Sequence, residues 1–174
     1  NKKPQKKSKI EAKDCHVKSF KKKSEGFALD WNNFLPGVFA CGGYDNEIEV
    51  FLPKDENCSD YIGGENNIYN YRNKFDGHKN GVEDIVFSPV APHILASSGN
   101  DKFIKLWDLR MNTQNNLIGS IENAHSSDVN CLAWKSSTGI EMIASGSDDS
   151  TIKIWDPRKM SNNKDYIANI EFHK

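Results

Sequence analysis

No apolar run in this 174-residue chain approaches the length of a membrane span, so no membrane partner is expected. No signal peptide is visible. Residue 1 is Asn and not Met, and the expectation is of a longer parent chain. The four cysteines, Cys15, Cys41, Cys58 and Cys131, have no metal-ligand spacing among them, so no metal and no cofactor is expected. Cys41 and Cys131 fall inside predicted strands, where a free thiol acts as a small apolar residue. A reducing compartment fits this usage better than a disulfide scaffold. No Gly-x-Ser-x-Gly elbow is present to expose a nucleophilic serine.

Net charge is also nearly absent, at −1, but the sum hides an asymmetry. Residues 1–23 carry ten Lys against Glu11 and Asp14, a balance of +8. The remainder holds thirteen Lys or Arg against twenty-two Asp or Glu, a balance of −9. A basic arm therefore precedes an acidic body. Residues 1–14 are too polar to bury themselves and read as a flexible basic segment. Lys6-Lys7-Ser8-Lys9 within it reads as a nuclear-import motif, an RNA-contacting tail or a solvated insertion loop. Direct nucleic-acid binding is expected nowhere else.

What the chain does have is repetition. Residues 94–110, ILASSGNDKFIKLWDLR, recur at 142–158 as MIASGSDDSTIKIWDPR, and more weakly at 38–54 as VFACGGYDNEIEVFLPK. The three align without a gap. Ala40, Ala96 and Ala144 share a column, as do Asp45, Asp101 and Asp149, and Phe51, Trp107 and Trp155. Each copy is an apolar run, a turn rich in Gly, Asn and Asp, then an alternating run, which predicts a β-hairpin. Ile152 and Ile154 flank Lys153 with the period of two that a strand requires. The repeat spacing is 56 residues and then 48, a period that decides architecture before any local signal.

A second feature precedes both strong copies. Gly77-His78 stands before VEDIVF, and Ala124-His125 before VNCLAW. His to Asp is 23 residues in one copy and 24 in the other, and Asp to Trp is 6 in both. On these marks the chain resembles the WD-repeat family, which implies an all-β fold of four-stranded propeller blades. Strands are predicted at 26–31, 38–42, 48–52 and 69–75, at 82–87, 94–98, 103–107 and 117–122, and at 129–134, 142–146, 151–155 and 166–172. Residues 15–174 thus read as a partial propeller with blades over about 26–75, 82–122 and 129–172, and 15–20 as an outer strand of a preceding blade. Three blades do not close a ring, so a fragment of a longer propeller is expected, seven-bladed by resemblance.

His78, Ser97 and Asp101, like His125, Ser145 and Asp149, have the residue types of a hydrolase triad. The resemblance implies a structural role instead. In WD repeats the Asp orients the His, the His meets the Ser, and the Ser meets the indole of the strand Trp, here Trp107 and Trp155. Such a chain satisfies half-buried polar groups and stiffens the blade. No enzyme is expected. The first blade breaks the pattern, with Lys22 for His, Cys41 for Ser and Phe51 for Trp. It is therefore expected to lack the polar chain and to be the loosest of the three.

Residues 24–31, SEGFALDW, and 81–85, GVEDI, resemble the glutamate-rich WD-repeat group, nuclear and nucleolar escorts of a ribosomal protein in large-subunit assembly. Ala124-His125 with 128–132, DVNCL, is shared with the related retinoblastoma-associated histone-binding propellers. The resemblance implies a non-enzymatic chaperone of a basic client, ribosomal protein or histone, in the nucleus and nucleolus. An acidic body suits such a client. The alternative is a substrate receptor of a cullin-RING ubiquitin ligase. Residues 107–110, WDLR, and 155–158, WDPR, match the Trp-Asp-x-Arg box that docks on the ligase adaptor, with Arg110 and Arg158 as the docking residues.

Overall fold

A computed structural model describes residues 22, 24–53, 69–111, 116–160 and 166–171. The predicted strand at 15–20 and the basic segment 1–14 lie outside the described residues. The described chain is all-β, with one 3-10 turn at Pro157–Lys159. Twelve strands form three four-stranded antiparallel sheets. Sheet one is β1 (Leu29–Trp31), β2 (Phe39–Gly42), β3 (Glu47–Pro53) and β4 (Tyr69–Asp76). Sheet two is β5 (Val82–Phe87), β6 (Ile94–Gly99), β7 (Ile104–Asp108) and β8 (Leu117–Ile121). Sheet three is β9 (Val129–Ser137), β10 (Ile140–Ser147), β11 (Thr151–Trp155) and β12 (Tyr166–Glu171).

The repeated hairpin has one cause in all three sheets. Asn46, Lys102 and Ser150 follow the column of aspartates, and all three are left-handed, at φ 67, 69 and 68°. The amide of each closes a four-residue turn onto Gly43, Gly99 or Ser147, at 3.1 Å in every case. In the strong copies the aspartate side chain takes the amide two residues on, Phe103 at 3.2 Å and Thr151 at 3.0 Å. A carboxylate that binds its own turn this way substitutes for the glycine a left-handed position would otherwise favour.

Three strand limits differ from the sequence expectation by more than one residue. Strand β1 starts at Leu29 and not at residue 26. The amides of Gly42 and Tyr44, two residues apart, bond to the carbonyls of Ala28 and Glu25, three apart. The extra residue breaks the ladder as a bulge does. A Cβ on Gly26 would strike the Gly42 carbonyl, so only glycine passes there. In sheet three, β9 and β10 run three and two residues past their expected ends at 134 and 142. Thr138 and Gly139, at φ 51 and 81°, form the two-residue hairpin loop whose twist matches the strands. In the other sheets the corresponding loop is broader and is held by a side chain. Asn32 Oδ1 takes the amides of Phe34 and Leu35, and Ser88 Oγ those of Val90 and Ala91.

The sheets pack face to face through two apolar clusters. Ala40, Ile48 and Val50 of sheet one meet Val82, Ile85, Phe87, Leu95 and Trp107 of sheet two. The opposite face of sheet two, Ala96, Ile104, Leu106 and Ile121, meets Val129, Leu132, Ile143 and Trp155 of sheet three. Each fully buried Leu, Ile or Val contributes about 1.5–3 kcal/mol. Sheet two is thus buried on both faces, the condition under which a polar chain inside it must be fully paired.

Candidate functional site

Each strong repeat builds one polar chain beneath this packing. In sheet two, His78 Nδ1 lies 2.8 Å from Asp101 Oδ1, and His78 Nε2 lies 2.8 Å from Ser97 Oγ. The Trp107 indole N–H donates to the same Ser97 Oγ at 2.8 Å. In sheet three the corresponding distances are 3.0 Å from His125 to Asp149, 2.7 Å from His125 to Ser145, and 2.8 Å from Trp155 to Ser145. The structure therefore brings all eight residues together as two chains of four.

Protonation follows from burial. Burial pushes both histidines below their ordinary value of 6.5, against the pull of the partner aspartates. Burial also raises each aspartate, but the bonds it receives outweigh that, from His78 above all at Asp101 and from Thr151 and Ser126 at Asp149. Both carboxyls sit below their usual range and stay ionised. A neutral imidazole then donates from Nδ1 to the carboxylate and accepts the serine hydroxyl proton at Nε2. The serine oxygen accepts the indole N–H, and every group in the chain is paired.

The same arrangement is unfit for acyl transfer. Ser97 and Ser145 are 0% and 1% exposed, and each oxygen is held between a histidine and an indole. A nucleophile needs its oxygen at a substrate and an oxyanion hole beside it. Among the described residues no cluster of His, Cys, Asp and Glu has the geometry to hold a metal.

Sequence reading missed a fifth member. Lys105 Nζ donates to the Gly77 carbonyl at 2.8 Å, and Lys153 Nζ to the Ala124 carbonyl at 2.6 Å. Each ties its strand to the residue before the histidine. The same ammonium groups lie 5.7 Å over the Trp107 ring and 5.8 Å over the Trp155 ring. The signal was available in the ungapped alignment, where Lys105 and Lys153 share a column with Glu49.

That column corrects the expectation for sheet one. The sheet does have a polar chain. Lys22 Nζ lies 3.3 Å from Glu49 Oε2 and 3.7 Å from Asp45 Oδ1, with all three side chains 15–16% exposed. Cys41 Sγ contacts Lys22 Nζ at 3.9 Å and Glu49 Oε2 at 3.8 Å. Burial pushes the Cys41 thiol up to about 11, Lys22 opposing and Glu49 reinforcing the rise. Where the tryptophan would stand, Phe51 stacks on Phe39 at 4.8 Å between centroids.

Arg110 and Arg158 stand at matching positions at the ends of β7 and β11. Each guanidinium forks onto the aspartate two residues earlier, Arg110 at 3.0 and 2.7 Å on Asp108, Arg158 at 2.8 and 2.8 Å on Asp156. The arginine bonds hold Asp108 below the usual carboxylate range and bring Asp156 down to about 2. Both arginine side chains remain 65% exposed, so each presents a fixed cation outward.

Residues 69–108 and 115–156 match the family model described as WD domain, G-beta repeat. These two stretches are WD repeats. Each WD repeat begins one strand before its sheet, with β4 in the first and β8 in the second. The repeat therefore contributes its first strand to one sheet and its other three to the next, which ties neighbouring sheets covalently. The fold is that of a WD-repeat propeller fragment of three four-stranded blades.

Three curated relatives share parts of the chain. It is 38% identical over 63 residues to WD-40 repeat-containing protein MSI4 of Arabidopsis thaliana, covering 36% of this chain and 12% of that protein. It is 43% identical over 61 residues to nuclear distribution protein nudF 2 of Talaromyces marneffei, covering 35% and 13%. It is 35% identical over 86 residues to glutamate-rich WD repeat-containing protein 1 of Dictyostelium discoideum, covering 49% and 16%. The matched stretches thus span less than a fifth of these relatives. WD repeats build protein-interaction scaffolds, and this chain is similar to scaffolds of that kind.

Proposed function

We propose that the protein is a non-enzymatic escort that binds a basic client, a ribosomal protein of the large subunit, in the nucleus and nucleolus. The observation that carries this reading is the balance of −9 outside the basic arm. An acidic propeller speeds the encounter with a basic partner and discriminates against acidic ones. The likeness of residues 24–31 and 81–85 to the glutamate-rich WD group supports the choice of client. So does the match to the Dictyostelium protein of that name, which extends over 49% of this chain. Histones share the client's basic chemistry, and a histone-binding chromatin protein is the nearest variant of the same reading. In this reading the two His–Ser–Asp–Trp chains are structural and the basic segment 1–14 alone would touch nucleic acid.

Accessible acids are the residues that matter. Glu25, Glu122 and Asp148 are exposed. Glu47 is paired with Lys74, and Glu49 with Lys22, so neither is a free charge. The test is binding of the full-length protein to a basic ribosomal protein and to histones at low and high salt. Binding no stronger than that of an unrelated acidic propeller would remove the escort reading.

A second reading rests on the two arginine forks. Their matching two-bond forks and 65% exposure suit docking on a cullin-RING adaptor. In that case Arg110→Ala and Arg158→Ala would abolish capture of the adaptor while leaving capture of the client intact.

A further inference from the structure

Asp30 and Asp84 make the same pair of bonds at the two junctions between blades. Asp30 Oδ1 accepts the amide of its own neighbour Trp31 at 2.9 Å, and Asp30 Oδ2 accepts the amide of Phe87, one blade away, at 2.7 Å. Asp84 Oδ1 accepts the amide of its neighbour Ile85 at 2.8 Å, and Asp84 Oδ2 accepts the amide of Leu132, one blade away, at 2.7 Å. Each carboxylate thus spends one oxygen on its own strand and the other on the first strand of the next sheet.

The receiving strands need such a group. β1, β5 and β9 are the end strands of their sheets. An end strand carries a row of amides with no ladder neighbour, and a bare row of that kind recruits stray strands. An amide donated to a carboxylate is satisfied by a charge-assisted bond, and the charge repels further pairing. Phe87 and Leu132 are themselves 4% and 8% exposed, so their amides lie where water is scarce and an unpaired donor is costly.

The two aspartates are not copies of one another. Asp30 pairs across its sheet with Ala40, and the residues opposite the same alanine column in the other sheets are Val86 and Ala133. Asp84 pairs with Ser98, and the residue at that height in sheet three is Cys131. The same device has therefore arisen at two heights along the strand, which a repeat duplicated whole would not produce. In β9 both heights are held by residues without a carboxylate.

We propose that Asp30 and Asp84 are inter-blade clasps, positioning residues that fasten the first strand of the blade that follows each of them. The inference concerns how one blade is fastened to the next and stands apart from the choice of client. It also assigns a role to residues inside LDW and VEDI, the segments that carry the likeness to the glutamate-rich group.

The test is residue-resolved amide hydrogen exchange, by NMR, on the full-length protein. Asp84→Ala should speed exchange at Leu132 by about tenfold or more while Phe87 keeps its protection. Asp30→Ala should do the reverse. Asp84→Asn, which retains one acceptor oxygen and the side-chain shape, should give a smaller loss confined to Leu132, and serves if the alanine variant fails to fold. Equal responses of Phe87 and Leu132 to either variant, or no response of Leu132 to Asp84→Asn and Asp84→Ala, would overturn the clasp.

Discussion

Lys22 and Glu49, 3.3 Å apart, occupy the two columns that hold His78 and Lys105 in sheet two and His125 and Lys153 in sheet three. The exchange has an electrostatic reason. In the strong repeats the lysine lies near a histidine and lowers its affinity for a proton, which is harmless because that histidine stays neutral. A lysine in the histidine slot brings a cation to the place where the other sheets hold a neutral imidazole. A second lysine beside it would be repulsive, and Glu49 resolves the conflict.

The first prediction concerns this pair. Lys22→Ala leaves Asp45 and Glu49 half-buried without their cation. The expected loss is on the order of 1–3 kcal/mol in urea unfolding of the chain. Glu49→Lys should cost at least as much. Installing Lys22→His, Cys41→Ser, Glu49→Lys and Phe51→Trp together should recover most of the loss, because it restores the pattern of the other sheets. A quadruple variant no more stable than Glu49→Lys alone would show that the columns are not interchangeable.

Cysteine reactivity gives a second prediction. Burial holds the Cys41 thiol at about 11, so almost none of it is thiolate at pH 8. Cys131 is exposed on β9. Iodoacetamide at pH 8 should label Cys131 well before Cys41, read by mass spectrometry of peptides. Equal labelling would mean that sheet one opens faster than the alkylation proceeds.

The repeat, the three hairpins and the two histidine chains were legible because they depend on local turn chemistry and a strict strand period. Asp101 and Asp149 advertise the turn, and the alternation of Ile152, Lys153 and Ile154 marks a strand. The sheet-one chain was hidden because it uses different residues for the same geometry. Reading Lys22 as a broken histidine ignored Glu49, two positions before Phe51 and changed in the same copy. The clasps were invisible for another reason. Asp30 and Asp84 reach Phe87 and Leu132, 57 and 48 residues away, and nothing in their own strands marks that contact.

Acid sensitivity is the third prediction. Both histidines have folded pKa values below 6.5, so as pH falls the unfolded chain takes up protons before the folded chain does. Stability then rises with pH across that window. The histidine contribution is complete above about 6.5 and is lost as pH falls from there toward the folded values. Asp101 and Asp149, held below 3.8, add a second loss at lower pH, as pH falls through their own folded values. The urea midpoint should therefore be lower at pH 5 than at pH 7.5. His125→Ala should cost about 1–3 kcal/mol at pH 7.5, through the unsatisfied Ser145 and Asp149, and should flatten part of the pH dependence. A variant with the parent's full slope between pH 7.5 and 5 would place the sensitivity elsewhere.

The last prediction tests the escort reading at the level of single charges. Exposed charges act mainly on the rate of encounter and are screened over about 8 Å at physiological salt. Association of a basic ribosomal protein with the full-length protein should therefore slow as salt rises, with dissociation changing less. Glu25, Glu122 and Asp148 are exposed, and reversing any one of them to lysine should lower the association rate without shifting the unfolding midpoint. Glu47 and Glu49 should behave differently. Each is committed to a lysine within sheet one, so reversal should lower stability and affect binding only through that loss. Stopped-flow association at two salt concentrations, with unfolding measured on the same variants, separates the two classes. If reversals at Glu25, Glu122 and Asp148 together leave both the rate and its salt dependence unchanged, these acids are not the client's docking field, and the adaptor reading built on Arg110 and Arg158 becomes the one to pursue.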